Sequence, residues 1–150
     1  MDNIQKPVYG FITEKAPPSH DGYSNIYLHD INRRKSYTEK NRIGICSGPH
    51  WKAFPGGFER IVPMLTGIPE NSAVIMDELG FLENESPEFC NAVLRIFNGN
   101  YNVIAAIKTQ DTPFLSVLRS HSRTTIYYLE REKRDEVYKE LKKTIVGLFQ

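Results

Sequence analysis

Two adjacent carboxylates, Asp77 and Glu78, follow the apolar run Ala73-Val74-Ile75-Met76. Apolar residues in an unbroken run between polar flanks predict a strand buried on both faces of a parallel sheet. Sheets of that kind bind ligands just beyond the carboxyl ends of their strands, where these acids fall. An acid pair there can divide the work of hydrolysis. Asp77 would hold a Mg²⁺ ion that bridges nucleotide phosphates, and Glu78 would orient or deprotonate an attacking water. The plain alternative is that both acids merely solvate the exit from a strand, and in isolation the motif supports the two readings about equally.

The elements that would position these acids can be read from pattern. Residues 8–13 predict a strand, followed by an exposed turn over residues 14–23 that contains Pro17-Pro18-Ser19 and Asp21-Gly22. Residues 25–31 partly alternate apolar and polar, which predicts a second strand with one wet face, paired with the first through that turn. Residues 43–46 predict a short third strand, while residues 32–57 as a whole read as an irregular flap near the ligand side. A helix is expected over residues 58–66, with Pro63 setting a kink or boundary. After the acid-bearing strand, residues 73–77, Ser86 is a good N-cap and Pro87 suits the first helical position. The apolar spacing of Phe89, Val93, Leu94 and Phe97 predicts a helix that Asn98-Gly99-Asn100 stops. Residues 102–107 predict another buried strand, Thr112-Pro113 opens a helix to about Arg119, and residues 124–129 predict the last strand. Residues 131–148 close the chain as an amphipathic helix, with Val137, Leu141, Ile145 and Leu148 on one face. The fold class is therefore α/β, a mostly parallel sheet flanked by helices, in a single domain spanning residues 1–150.

Composition narrows the function classes. With 150 residues the chain can bury a core. Lysine plus arginine, 19, nearly balances aspartate plus glutamate, 18, so no global field draws nucleic acid or an anionic membrane, and neither is an expected partner. Arg33-Arg34-Lys35 and Lys142-Lys143 read as solvated surface. No apolar run approaches the ~20 residues that span a bilayer, and residues 1–6 lack a signal-peptide core, so the expected location is cytoplasmic. Cys46 and Cys90 read as buried reduced thiols. His20, His29, His50 and His121 lack metal-ligand spacing and are expected on the surface or in loops.

The segment Asp77-Glu78-Leu79-Gly80-Phe81-Leu82-Glu83, followed by Ser86-Pro87-Glu88-Phe89, resembles the stretch around Walker B in the thermophile and cancer-related nucleoside triphosphatase family of P-loop proteins. Val8-Tyr9-Gly10-Phe11-Ile12-Thr13-Glu14 is similar to that family's Gly-Phe-Ile-Thr strand. Gly57-Phe58-Glu59 with Val62-Pro63-Met64-Leu65 is similar to the helix before Walker B. Residues 103–107, Pro113-Phe114-Leu115 and Arg134-Asp135 with Leu141 follow in the family's order. The resemblance implies a P-loop NTPase-like fold of the catalytic-glutamate class and Mg-dependent hydrolysis of a nucleoside triphosphate. It assigns Glu78 as the catalytic residue, Asp77 as the metal ligand, and Lys108 and Thr109 as contacts to the nucleotide's γ-phosphate. Arg119, Arg123 and Arg134 are weighed as arginine fingers and read first as salt-bridge or surface residues. Phe81 departs from the family, which often carries a basic residue after that glycine.

In the family, a strand, a Gly-rich Walker A loop and a helix precede the Gly-Phe-Ile-Thr strand, and these 150 residues contain no G-x-x-x-x-G-K-[ST] segment. The glycines from Gly48 to Gly57 are interleaved with Pro49, Pro55 and Trp51, which suits no phosphate cradle. The expectation is a domain truncated before its phosphate loop and inactive or nearly so alone. In this class the Walker A strand lies between the strands at residues 102–107 and 124–129. Those two are expected either to close on each other or to receive a segment from a second copy or another chain. Three readings stay open: a split enzyme whose Walker A unit comes from another polypeptide, a non-catalytic pseudoenzyme acting as a binding module, and an unrelated α/β domain.

Overall fold

The computed structural model describes residues 6–149. The expectation for residues 1–5 and the place of Leu148 in an apolar stripe lie outside the described residues and side chains. Six strands, β1 (Val8–Lys15), β2 (Ser24–Asp30), β3 (Arg42–Ser47), β4 (His50–Ala53), β5 (Ala73–Leu79) and β6 (Asn102–Ile107), form one sheet in the order β4-β3-β2-β1-β5-β6. The sheet is mixed. β1, β5 and β6 run parallel, and the β1–β2, β2–β3 and β3–β4 pairs are antiparallel hairpins added on one side.

The helices follow from local chemistry. In α1 (Pro55–Glu59) and α2 (Val62–Thr66) a proline occupies the first turn, so the expected single helix is broken at Arg60–Ile61. Helix α3 (Pro87–Asn98) starts where Ser86 Oγ accepts from the Phe89 N–H, and α4 (Pro113–Arg119) where Thr112 Oγ1 accepts from the Leu115 N–H. The last helix is α5 (Arg134–Phe149).

One sheet face carries the core. Phe11, Val74 and Met76 are fully buried against Phe58, Phe89, Val93, Leu115 and Leu118. Ring centroids of Phe11 and Phe89 lie 5.4 Å apart and those of Phe58 and Phe89 4.9 Å apart, an aromatic spine between β1, α1 and α3. Strand alternation turns Val8, Ile12, Ile75 and Ile104 to the other face, where they are only half-buried. At Gly10 the backbone has φ +130°, and a Cβ there would sit 1.8 Å from the Ile75 carbonyl oxygen. Only glycine lets β1 and β5 meet at that point.

Three expectations are corrected. Residues 124–129 form no strand: they do not pair with β6, the edge strand of the described sheet. The segment is tied instead to α5, with Tyr127 Oη 3.2 Å from Thr144 Oγ1. The supposed flap contains the ordered β3–β4 hairpin, turned at Gly48 with φ +55°. His29, expected at the surface, is 4 % exposed on β2. Its Nε2 lies 3.3 Å from Glu14 Oε2 without hydrogen-bond geometry, and burial lowers its pKa.

Candidate functional site

The parallel strands β1, β5 and β6 end at one rim, and the acid pair sits there. β5 runs on through both acids to Leu79, and its register with β6 shifts between Asp77 and Leu79, so the backbone bulges where the carboxylates leave the sheet. The Asp77–Glu78 peptide is cis. Asp77 is exposed and pairs in register with Ile12 of β1 and Ala106 of β6. The Glu78 N–H donates to Thr13 Oγ1 at 3.3 Å, which joins the end of β1 to the acids.

Lys108 arrives from the end of β6. Its N–H donates to the Leu79 carbonyl at 2.9 Å, and its Nζ lies 3.2 Å from Glu78 Oε1. Both side chains are substantially exposed, so the pair is screened and reports geometry more than stability. Thr109 follows on the same loop, exposed. The structure thus brings Asp77, Glu78, Lys108 and Thr109 to one rim together with Thr13, a hydroxyl that the sequence reading did not single out. Thr13 closes the Gly10-Phe11-Ile12-Thr13 segment near the end of β1.

The arginines separate from this group. Arg119 donates to the carbonyls of Lys108 at 2.9 Å and Gln110 at 3.0 Å and to Asp111 Oδ1 at 3.0 Å, bracing the loop that carries Lys108 and Thr109. Arg123 donates to the carbonyls of Phe97 and Gly99 at the end of α3. Arg134 is exposed at the start of α5. The first two are structural braces.

Glu83 is a further group that the sequence reading quoted without giving it a role. It lies in a 3₁₀ turn, Leu82–Glu85, and is 3 % exposed, with Oε2 lacking a hydrogen-bond partner. Burial chiefly, with the nearby Glu78 charge adding to it, pushes its carboxyl up to about 7, against the opposing pull of the Glu83 and Gly80 backbone N–H groups. Cys90 Sγ donates to the Glu83 carbonyl at 3.1 Å, and burial, with Glu83 adding, pushes that thiol up to about 11. Cys46 and Cys90 are both free and only partly buried.

Among the described residues no group of three or more His, Cys, Asp or Glu is placed to cage a metal ion. What the rim offers is hard oxygen donors, the Asp77 and Glu78 carboxylates and the Thr13 hydroxyl. That set suits Mg²⁺, which is commonly held through one or two carboxylates and completes its shell with water and phosphate oxygens. No helix among the described residues is long and apolar enough to cross a membrane.

Nucleoside-triphosphatase THEP1 of Thermotoga petrophila is 33 % identical over 72 residues, which is 48 % of this chain and 40 % of that protein. THEP1 of Thermotoga maritima is 31 % identical over 72 residues, 48 % of this chain and 41 % of that protein. The matched stretch therefore spans about two fifths of these curated relatives. The crystal structure of THEP1 from the hyperthermophile Aquifex aeolicus superposes with a TM-score of 0.67 at 22 % identity, covering 93 % of this chain and 84 % of that one, which establishes a shared fold. With an NTPase family model matching residues 2–142, the chain belongs to that NTPase family.

Proposed function

We propose that this domain carries the acid side of a Mg-dependent nucleoside triphosphate phosphohydrolase site. The carrying observation is the convergence of Thr13, Asp77, Glu78 and Lys108 at the carboxyl rim of three parallel strands, with Lys108 Nζ 3.2 Å from Glu78. In this reading Asp77 holds the ion and Glu78 accepts a proton from the attacking water. The water oxygen bonds to the γ-phosphorus, the bond from that phosphorus to the bridging oxygen breaks, and the diphosphate leaves with the electron pair. Lys108 and Thr109 meet the γ-phosphate oxygens, and Lys108 passes from Glu78 to the charge that develops there. When bound, Mg²⁺ supplies charge neutralisation at the phosphates.

A strand and phosphate loop are the complement this site calls for. Support comes from β6, which pairs with β5 alone among the described strands, and from the residue 124–129 segment, where Ile126, Tyr128 and Leu129 are 40 %, 69 % and 68 % exposed. Both would be satisfied by a strand inserted beside β6. Without it, the domain is expected to turn over weakly or not at all. The test is phosphate release by the 150-residue chain with and without a polypeptide carrying a strand, a G-x-x-x-x-G-K-[ST] loop and a helix. Restored turnover that Glu78→Gln abolishes would support the proposal. Turnover indifferent to Glu78→Gln would refute it.

The engagement of Lys108 by Glu78 in the resting domain favours a second reading, a non-catalytic binding module in which the acids are relics. Calorimetry with Mg-nucleotide separates the two, since a relic gives no heat, or heat unchanged by Asp77→Ala.

A further inference from the structure

The loop that leaves the acid pair is locked onto the β3–β4 hairpin, and an open aromatic surface results. Gly44 of β3 has no side chain, and a Cβ there would meet Leu82 Cδ1 at 2.8 Å, so Leu82 inserts over the glycine. The neighbouring Phe81 packs against Trp51 of β4, with ring centroids 4.8 Å apart at an interplanar angle of 66°. This edge-to-face contact covers only part of the indole, and Trp51 stays 46 % exposed. Phe81 stands three residues beyond Glu78, at most about 11 Å of chain. The ribose and triphosphate that separate a nucleobase from its terminal phosphorus can bridge a separation within that bound.

We propose that Trp51, backed by Phe81, is the platform on which the purine base of a nucleoside triphosphate stacks while its phosphates lie at the Asp77–Glu78 rim. The inference rests on the acid-site reading above. A base offers a flat π-face that an exposed indole accepts without further polar contacts, and a purine covers more of it than a pyrimidine. A mononucleotide is favoured over a nucleic-acid strand because the formal net charge is only +1, whereas strand binding draws its affinity from many phosphate contacts.

Trp51 is the single tryptophan, so its fluorescence reports the platform directly. Wild-type protein is titrated with Mg-adenosine triphosphate, Mg-cytidine triphosphate and Mg-tripolyphosphate by fluorescence and calorimetry. Trp51→Leu and Trp51→Phe are then titrated by calorimetry. Stacking on an aromatic ring is worth roughly 1 to 3 kcal/mol per base, or about 5- to 150-fold in affinity. The adenine nucleotide should therefore quench Trp51 and bind at least about 5-fold tighter than tripolyphosphate, which should bind without quenching. The pyrimidine nucleotide should fall between them. Trp51→Leu should bind adenosine triphosphate no tighter than tripolyphosphate, and Trp51→Phe should retain part of the advantage. Equal binding of nucleotide and tripolyphosphate, or full affinity in Trp51→Leu, overturns the platform and leaves the acid site standing. Failure of all three ligands to bind overturns both readings. A single-stranded oligonucleotide that quenches Trp51 at lower concentration than the mononucleotide overturns the assignment of the ligand.

Discussion

Glu83→Gln should change how stability depends on pH in a way that isolates one buried proton. The folded-state carboxyl is raised from an ordinary 4.5 to about 7. At low pH both the folded and the unfolded chain carry this proton, and the site contributes nothing to the pH dependence. As pH rises past 4.5 the unfolded chain releases it while the folded chain retains it, so the unfolded state binds fewer protons and stability falls until about pH 7. At about 1.4 kcal/mol per pH unit, the gap between 4.5 and about 7 amounts to about 3 kcal/mol. That is a large share of the roughly 5 to 15 kcal/mol by which domains are stable. A glutamine of the same shape carries no such proton. Urea unfolding of the wild-type and Glu83→Gln proteins at intervals from pH 4 to pH 8, compared as differences, cancels the other titrating groups. The variant should gain about 3 kcal/mol on the wild type between acid and neutral pH, with the change complete just above pH 7. A difference that stays flat with pH, or grows toward acid, would refute the reasoning.

Other changes should act through contacts already described. Gly10→Ala places a methyl group 1.8 Å from the Ile75 carbonyl on a backbone with φ +130°, and should cost at least ~3 kcal/mol, read as a collapse of soluble yield or of the urea midpoint. Arg119→Ala removes donors to the Lys108 and Gln110 carbonyls and to Asp111. It should cost about 2 kcal/mol in urea unfolding and raise amide exchange across residues 108–112, more than Arg119→Lys does. Ser86→Ala removes the acceptor for the Phe89 N–H and should cost about 1 kcal/mol, measurable by urea unfolding.

Local chemistry made much of the fold readable. The helix starts at Ser86-Pro87 and Thr112-Pro113 announced themselves because a short oxygen side chain before proline has little else to do, and both caps form. The bounds of β6 fall at Asn102 and Ile107 as the pattern indicates. The candidate site was readable only in part. Asp77 and Glu78 stood out as an acid pair after an apolar run, but Thr13 needed the parallel pairing of β1 with β5, and Lys108 needed that of β5 with β6, and both pairings are nonlocal. The β3–β4 hairpin was hidden because His50-Trp51-Lys52 shows no alternation and is flanked by Pro49 and Pro55. His29 looked like a surface residue because a histidine on a short alternating strand gives no hint of burial against Tyr27 and Tyr37. Residues 124–129 have strand composition, yet a strand is a relation between neighbours, and the sheet ends at β6 before reaching them.

That last edge has a practical consequence. Among the described strands only β5 borders β6, and an edge of that kind, carrying the half-buried Ile104 and the exposed Ala106, is one that copies of the protein in a concentrated sample would extend. Such a protein should thicken into oligomers with rising concentration, and a short peptide that occupies the border should act as an antidote. Crowding between molecules, rather than heat, would then set how long a preparation lasts.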